Sequence, residues 1–359
     1  MVHAKYPAIT VQLQTASFPD YWTKLPSLAA SHRLPDIISL QSERTAGFAQ
    51  LVAPLDPMIA HDRFDLGAFD RSIIAGLSLN GHIYALPYDF GPMIMYYNRD
   101  QFAAAGLPAP KSGWTNAEFV KDAKTLTKDG RFGAVQSVPD AFCAYATSDG
   151  AAYLAANGDP DLTNPKLAAA FQDYVDLVAR DHAAPVLPSS GSPSMAQANG
   201  RFVAGDAAMY VDGPWDLINV RNSIKFHMGL APIPAGSAGS VTITAGSGFG
   251  VSASSQHKEQ AWQAVQVLTG PEAERYLAEN GRAFPARLAD QTYWYSVAGK
   301  DVENAKPAMQ AALSNAVPYR TSANWNVIDG LFGQYAPLAF AGRQPAGDVL
   351  KTIQQSADE

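Results

Sequence analysis

Short apolar runs alternate with helical patterns over the first part of the chain. Residues 9–14 alternate between apolar and polar side chains, as a half-buried strand does, and residues 35–40 form a more apolar run that predicts a buried strand. Apolar residues at helical spacing predict a helix over residues 20–31 and a second helix that runs to residue 51. Strands and helices that alternate in this order are typical of an α/β protein with a parallel sheet.

The second half of the chain is mostly helical in pattern. Thr115 and Glu118 form a capping box that opens a helix ending near residue 128, and helical periodicity dominates residues 142–180. Later helices are predicted over residues 257–268, 271–279, 302–313, 324–340 and 346–354. Two strand patterns are interrupted, one by Gly91-Pro92 and one by the glycine- and serine-rich residues 235–250, and we interpret both as crossings between two domains.

The apolar run at residues 207–211 predicts a strand that ends at Asp212-Gly213-Pro214. Asp212 can cap a following helix, and Pro214 suits the first turn of that helix. Trp215 then lies between the end of a strand and the start of a helix, where open α/β sheets bind ligands. Its ring either offers a flat apolar face to a ligand or fills the helix–sheet interface, and position alone favours neither.

Composition narrows the class of protein. The chain has 359 residues, of which 47% are hydrophobic and 16% charged, as in a folded protein with enough residues for two domains. A net charge of −7 argues against a nucleic-acid partner. The single cysteine, Cys143, excludes an internal disulfide and a cysteine-based metal site. No apolar run approaches the length of a membrane span.

No catalytic or nucleotide-binding motif is recognisable. The chain lacks a Gly-x-Ser-x-Gly elbow, a His-Glu-x-x-His motif and a dinucleotide-binding glycine pattern, so we expect neither an enzyme nor a bound cofactor or metal. Aromatic and polar residues do recur at predicted element ends: Glu43-Arg44, Tyr88-Asp89, Asp140, residues 212–215, Tyr319-Arg320 and Asn324-Trp325. Rings mixed with hydrogen-bonding groups suit a polyhydroxylated ligand, although adjacent charges such as Glu43 and Arg44 are more often a solvated surface pair.

Several of these motifs together resemble the maltose-binding-protein-like (family 1) extracellular solute-binding proteins, the sugar-binding subunits of ABC importers. The resemblance covers essentially the whole chain. It rests on residues 205–209 followed by Gly213-Pro214-Trp215, on residues 86–100, on residues 35–38 and on residues 115–118. It implies a two-lobed, periplasmic-binding-protein-like II fold of α/β class, whose hinged lobes close on a ligand in the cleft between them.

The resemblance also implies lobe bounds. The first lobe would contain residues 1–91 and 249–305, and the second residues 95–245 and 314–359. Hinge crossings would lie near residues 91–95, 244–249 and 305–314. The family's signal segment and first strand have no counterpart before residue 9, so we expect the sheet of the first lobe to lack one strand.

Particular residues match ligand-binding positions of the family. Glu43 and Arg44 match an acidic residue and an arginine that bind sugar hydroxyls, and Trp215 and Trp325 match stacking aromatic residues of the second lobe. Asp140 lies near another cleft position. Asp89 and Arg320 complete the predicted ligand-binding set. Leu40 stands where the maltose protein has a stacking tryptophan, which argues against maltose as the ligand.

The function implied is capture of a mono- or oligosaccharide and its delivery to the membrane permease of an ABC importer. We expect a monomer that works in the periplasm or outside the cell and is associated with the membrane through the transporter. A binding protein for glycerol phosphate or another small polar solute is the first alternative, although the 26 basic residues form no cluster. A carbohydrate-active enzyme is the second, and it would need two carboxylates flanking one bond.

Overall fold

The structure, a computed structural model, describes residues 1–188 and 194–358. The first helices in chain order are α1 (Val2–Lys5), α2 (Phe18–Ala30), α3 (Thr45–Phe48), α4 (Asp56–Asp62), α5 (Arg71–Gly76), α6 (Arg99–Ala104), α7 (Asn116–Leu126), α8 (Asp140–Ser148) and α9 (Pro165–Ala179). They are followed by α10 (Ser194–Val203), α11 (Leu217–Ser223), α12 (Lys258–Leu268), α13 (Pro271–Glu279), α14 (Gln291–Val297), α15 (Ala305–Ser314), α16 (Trp325–Phe340) and α17 (Ala346–Asp358).

The strands are short and lie mostly in the first two thirds of the chain. They are β1 (Ile37–Gln41), β2 (Ser78–Leu79), β3 (His82–Ile83), β4 (Leu86–Pro92), β5 (Ile94–Asn98), β6 (Met209–Asp212), β7 (Met228–Ala231), β8 (Ile243–Val251) and β9 (Val317–Pro318). Single 3-10 turns lie at Ser42–Arg44, Ala49–Leu51, Leu66–Ala68, Pro214–Asp216 and Leu288–Asp290. The helices predicted after Thr115 and in the last hundred residues are confirmed to within a few residues.

The chain forms two compact units. Unit 1 contains Met1–Phe90, Ala245–Trp294 and Pro318–Ala323, and unit 2 contains Gly91–Thr244, Tyr295–Val317 and Asn324–Glu359. These bounds differ from the predicted lobes at residues 295–305, which lie in unit 2, and at Pro318–Ala323, which lies in unit 1. Helix α15 fills the stretch from residue 305 to residue 314, where the resemblance implies a hinge crossing and the sequence pattern predicts a helix.

The sheet of unit 1 has the strand order β1–β8–β4. Strands β1 and β8 are antiparallel, with Ile37 opposite Val251 and Gln41 opposite Ser247. The parallel sheet predicted from the strand–helix alternation is therefore wrong for this pair. The alternation reflects only neighbours in sequence, whereas β1 pairs with a strand about 200 residues further along the chain. A core of Leu55, Leu86, Val251, Trp262 and Val265 covers one part of this sheet.

Strand β8 covers the second part of the glycine-rich stretch 235–250 that we interpret as a crossing, and the chain passes from unit 2 to unit 1 within this strand, between Thr244 and Ala245. Its glycines serve close packing. A Cβ on Gly246 would lie 2.3 Å from the Asp89 carbonyl oxygen, one on Gly248 would lie 2.6 Å from the Leu86 carbonyl oxygen, and one on Gly250 would lie 2.4 Å from the Tyr84 carbonyl oxygen. Alternate glycines on one face of β8 therefore let the neighbouring backbone approach closely.

Residues 9–14 do not form the predicted strand. Val11 is 48% exposed and Leu13 is 85% exposed, so the apolar side of the alternating pattern is not buried. An alternating pattern forms a strand only where a partner strand and a core face are available, and residues 10–14 are all exposed.

The sheet of unit 2 has β5 in the centre, antiparallel to β6 on one side and to β7 on the other. Helices α9, α16 and α17 build a second layer of the unit around an aromatic cluster in which Phe171 contacts Phe142, Phe332 and Phe340. The capping box at Thr115 is present as predicted, with Glu118 N–H donating to the Thr115 hydroxyl. Among the described residues, no helix combines the length and apolar character needed to span a membrane.

Candidate ligand-binding site

Glu43 and Arg44 lie in the 3-10 turn that directly follows β1. Glu43 is 6% exposed and Arg44 is 7% exposed, and the two side chains form an ion pair. Arg44 Nη1 also donates to Gln41 Oε1 at 2.6 Å, and its guanidinium lies 4.9 Å from the centre of the Trp22 ring. This burial excludes the solvated surface pair that adjacent charges usually form. A buried pair held on several sides is a rigid donor–acceptor group.

Asp89 is a second buried carboxylate of unit 1. Its Oδ1 accepts a hydrogen bond from the Ser247 backbone N–H at 2.6 Å. Burial raises the pKa of the Asp89 carboxyl to about 6, and the hydrogen bond from Ser247 and the charge of Arg282 act in the opposite direction. Arg282 is exposed. It lies in the same loop as Phe284, whose carbonyl oxygen accepts a hydrogen bond from the Phe90 N–H at 3.1 Å.

Hydrogen bonds between distant segments bring these residues of unit 1 together. The Gly246 N–H donates to the Ser42 hydroxyl at 3.2 Å. This bond connects the turn at Glu43 to strand β8, in which Ser247 donates to Asp89. The Thr321 hydroxyl donates to the Glu43 carbonyl oxygen. Thr321 follows Arg320, whose side chain is exposed. Four of the predicted residues, Glu43, Arg44, Asp89 and Arg320, thus lie on connected segments of one unit.

The other three predicted residues belong to unit 2. Asp140 lies in the first turn of α8, and Trp215 lies in the 3-10 turn Pro214–Asp216 and is half-buried. Trp215 lies close enough to Asp212 to act on the pKa of its carboxyl group, which it lowers. Burial, and then the negative charges of Asp216 and Asp140, raise the pKa of Asp212 well above its usual range. Trp215 and the three carboxyl groups are therefore neighbours.

Trp325 opens α16 and is only 3% exposed. Its ring packs against Tyr153, with 5.4 Å between the ring centres. Burial raises the pKa of Tyr153 well above its usual range, and the charges of Cys143 and Asp140 add to this effect. Trp325 therefore lies near Asp140 on the same unit but within the packed interior, and its stacking role stays a prediction.

Sequence reasoning missed several polar groups around these residues. Asp212 is not the predicted helix cap: its Oδ1 accepts from the Gly213 N–H at 2.7 Å, and Gly213 is the residue that precedes the 3-10 turn. Ser247 and Arg282 were not identified because each becomes relevant only through a partner far away in sequence. The only sequence feature around Ser247 is the high glycine content of its strand, which indicates close packing of neighbouring backbones and not a ligand-binding residue.

Metal binding is not suggested by the geometry. In the ranges 1–188 and 194–358, no three His, Cys, Asp or Glu side chains are grouped so that they could hold a metal ion. The three neighbouring carboxyl groups of Asp140, Asp212 and Asp216 do not form such a group.

Comparison with known proteins gives a family match and close structural similarity. The family described as "Bacterial extracellular solute-binding protein" matches residues 2–275. An ABC substrate-binding protein of Listeria monocytogenes, solved in complex with cycloalternan, is 23% identical, with a TM-score of 0.88 over 99% of this chain and 92% of that one. The maltose-bound protein MalE3 of T. maritima is 25% identical, with a TM-score of 0.80 over 99% of this chain and 93% of that one. A maltodextrin-binding protein of Bacillus subtilis is 24% identical over 249 residues, which are 63% of this chain and 54% of that protein.

Proposed function

Because this chain belongs to the bacterial extracellular solute-binding protein family, we propose that it is the solute-binding component of an ABC importer and that its ligand is a mono- or oligosaccharide. The observation that carries the proposal is the similarity to maltose-bound MalE3 at 25% identity over 99% of this chain. The match of the family over residues 2–275 supports it.

The polar residues of unit 1 suit sugar hydroxyl groups. A buried carboxylate accepts hydrogen bonds from hydroxyls, and an arginine beside it donates to them. Glu43 with Arg44, and Asp89 with Arg282 nearby, supply both kinds of group on connected segments. We propose that Glu43, Arg44, Asp89 and Arg320 bind the hydroxyl groups of the ligand.

Unit 2 offers a half-exposed ring for the apolar face of a sugar. We propose that Trp215 stacks on the ligand, with Asp140 and Trp325 as further residues of the set. A ring that is packed on one face and open on the other can bury the C–H groups of a pyranose. The two units would then correspond to the two lobes of the family that the chain resembles.

A neutral ligand agrees better with the charges than an anionic one does. Asp140 and Asp216 place negative charge close to Asp212 in unit 2 and would repel a phosphate group, and in unit 1 the charge of Arg44 is already paired with Glu43. This arrangement disfavours glycerol phosphate. It does not by itself disfavour an enzyme, but the family and the similar structures are solute-binding proteins, and we propose that this chain is not an enzyme.

The proposed partners and location follow from the family. A member of an extracellular family delivers its solute to a membrane permease, and the nucleotide is bound by a separate ATPase subunit. We propose that this chain works as a monomer in the periplasm or outside the cell, without a nucleic-acid partner. Its net charge of −7 supports the last point.

A thermal-shift screen against neutral sugars, polyols and glycerol phosphate tests the proposed function. A ligand present at 100 times its dissociation constant adds about 2.7 kcal/mol to the free energy of unfolding, which is a readily measured shift. We expect a mono- or oligosaccharide to produce it. The bound sugar, recovered after prolonged incubation, should be unchanged; conversion to a shorter product would favour the enzyme, and a shift only with glycerol phosphate would favour the other alternative.

A further inference from the structure

Gln41 is the last residue of β1 and lies outside the predicted ligand-binding set. It is directly opposite Ser247, whose backbone N–H donates to Asp89 Oδ1 at 2.6 Å. The Gln41 carbonyl oxygen accepts from the Thr45 hydroxyl at 3.2 Å, so its backbone is fixed both to β8 and to the turn that follows β1. Gln41 therefore lies between the turn of Glu43 and the strand that contacts Asp89.

The side-chain amide of Gln41 has a defined orientation. Its Oε1 accepts from Arg44 Nη1 at 2.6 Å. A guanidinium can only donate, so the amide atom that faces it is the oxygen and not the nitrogen. Arg44 is itself fixed, because it is 7% exposed, forms an ion pair with Glu43 and lies 4.9 Å from the centre of the Trp22 ring. The protein therefore orients the amide before any ligand binds.

The amide nitrogen of Gln41 has no acceptor in the protein. Within residues 1–188 and 194–358, no hydrogen bond joins Gln41 Nε2 to another group, and the residue is half-buried. Its two N–H bonds are donors whose direction is fixed by the oxygen of the same amide. They are therefore available to a group that comes from outside the chain.

The neighbouring side chains supply acceptors more than donors. The carboxyl oxygens of Glu43 and Asp89 accept hydrogen bonds, and the Arg44 guanidinium already contacts Glu43 and Gln41. A sugar hydroxyl donates its proton and accepts through its oxygen, so it is fully satisfied where a carboxylate and an N–H donor lie together. Gln41 supplies this donor without adding a charge.

We propose that Gln41 contacts the ligand, that its Nε2 donates to the oxygen of one sugar hydroxyl group, and that binding therefore requires this hydroxyl. The inference rests on the proposed function for its ligand and adds to it a residue and a selectivity. A sugar without this hydroxyl would leave a half-buried donor unpaired. A site that hydrogen-bonds a hydroxyl group discriminates strongly against such an analogue, so the selectivity is against one deoxy sugar.

Gln41→Met and Gln41→Glu separate the donor from the bond to Arg44. Methionine has a similar length and no N–H, whereas glutamate keeps an oxygen for Arg44 and replaces the donor by a second acceptor. With the sugar that gives the largest shift in the thermal screen, calorimetry should show binding weakened about tenfold or more in both variants. Gln14→Met, at an exposed glutamine, is the control and should leave affinity unchanged.

Two results of this experiment would overturn the proposal. Wild-type affinity in Gln41→Met would mean that the side chain does not contribute to binding. Wild-type affinity in Gln41→Glu, with weak binding in Gln41→Met, would mean that Gln41 acts only by holding Arg44.

Deoxy analogues of the same sugar identify the hydroxyl group. At one position, removal of the hydroxyl should weaken binding to the wild type and have little further effect in Gln41→Met, because the two changes remove the same hydrogen bond. Effects that multiply at every position would overturn the proposal.

A measurement on the sugar-free protein tests the fixed amide separately. The NMR signals of the Gln41 side-chain amide, assigned by their loss in Gln41→Met, should report a rigid group with an order parameter of about 0.85, whereas the exposed Gln14 should fall below about 0.6. A mobile Gln41 amide would overturn the proposal whether or not a sugar binds. A rigid amide in a wild-type protein that binds no sugar would instead overturn the proposed function.

Discussion

Asp89 and Glu274 are buried acids of unit 1 whose pKa values are both raised, yet they have different surroundings. Burial raises the pKa of Asp89 to about 6 and that of Glu274 to about 9. Asp89 lies beside the exposed Arg282 and the turn of Glu43, whereas Glu274 is fully buried on α13 and accepts from the Arg287 N–H at 2.7 Å. A buried acid lowers stability at neutral pH, and the proposed binding role would explain why Asp89 is an acid.

Asp89→Asn should make the protein more stable and a weaker binder of its sugar. The folded-state pKa of about 6 is above the unfolded value near 3.9. The free energy of unfolding is therefore highest below pH 4 and falls as the pH rises from about 4 to about 6, because the unfolded chain releases the Asp89 proton first. The asparagine variant avoids this loss, which amounts to on the order of 2–3 kcal/mol at pH 7. It also loses one acceptor for a sugar hydroxyl. Urea denaturation and calorimetry at pH 7 measure both quantities.

Glu274→Gln is the matched control for Asp89→Asn. It removes a buried acid of the same unit outside the predicted ligand-binding set, so it should leave sugar affinity unchanged. Equal loss of affinity in both variants would mean that Asp89 acts through the stability of unit 1 and not through contact with the ligand.

The raised pKa of Glu274 also predicts how the free energy of unfolding depends on pH above neutrality. Its folded-state pKa of about 9 exceeds the usual value of 4.5, so the folded protein keeps a proton that the unfolded chain releases. The free energy of unfolding should therefore fall between pH 6.5 and 8.5, by at most about 1.4 kcal/mol per pH unit. Arg287, Asp290 and Asp89 are the charged groups that act on it. Urea denaturation should show a smaller fall for Glu274→Gln; identical slopes would contradict this assignment.

At the scale of elements, strand β8 combines a glycine-rich sequence with tight packing. Gly248→Ala should destabilise unit 1 by about 1–3 kcal/mol, because its Cβ would lie 2.6 Å from the Leu86 carbonyl oxygen and 2.7 Å from Leu77 Cδ1. Gly333→Ala in α16, where a Cβ meets nothing within 4 Å, should instead stabilise by up to about 1 kcal/mol. Thermal unfolding of the two variants compares them. Equal stability would show that β8 tolerates side chains at this face.

Local signals predicted elements well and predicted their partners poorly. The capping box at Thr115 identified the start of α7, because every atom that it needs lies within four residues. The position of Glu43 after a strand was likewise predictable. The bond between Ser42 and Gly246 joins residues 204 positions apart, and nothing local in the sequence encodes it. The antiparallel β1–β8 pair and the contacts of Ser247 and Arg282 could not be predicted for the same reason, because the partners are far apart in the sequence.

At the scale of the whole molecule, the proposed function predicts that one sugar affects both units. Hydrogen exchange should slow at Ser42–Arg44 in unit 1 and at Pro214–Asp216 in unit 2 when the sugar identified by the thermal screen is saturating. The exposed residues 9–14, which bind no partner strand, are the internal control and should not change. Protection in only one unit would place all ligand contacts in that unit.

The assignment of each unit to three separate stretches of chain has a consequence for biosynthesis. Phe171 packs on Phe332 and Phe340, so unit 2 cannot complete its aromatic cluster until α16 has left the ribosome. A nascent chain that ends near residue 320 therefore exposes the faces of α8 and α9 that this cluster covers. Folding of this unit is delayed until synthesis is almost finished. If the chain works outside the cytoplasm as proposed, this delay leaves it unfolded and therefore able to pass through a secretion channel.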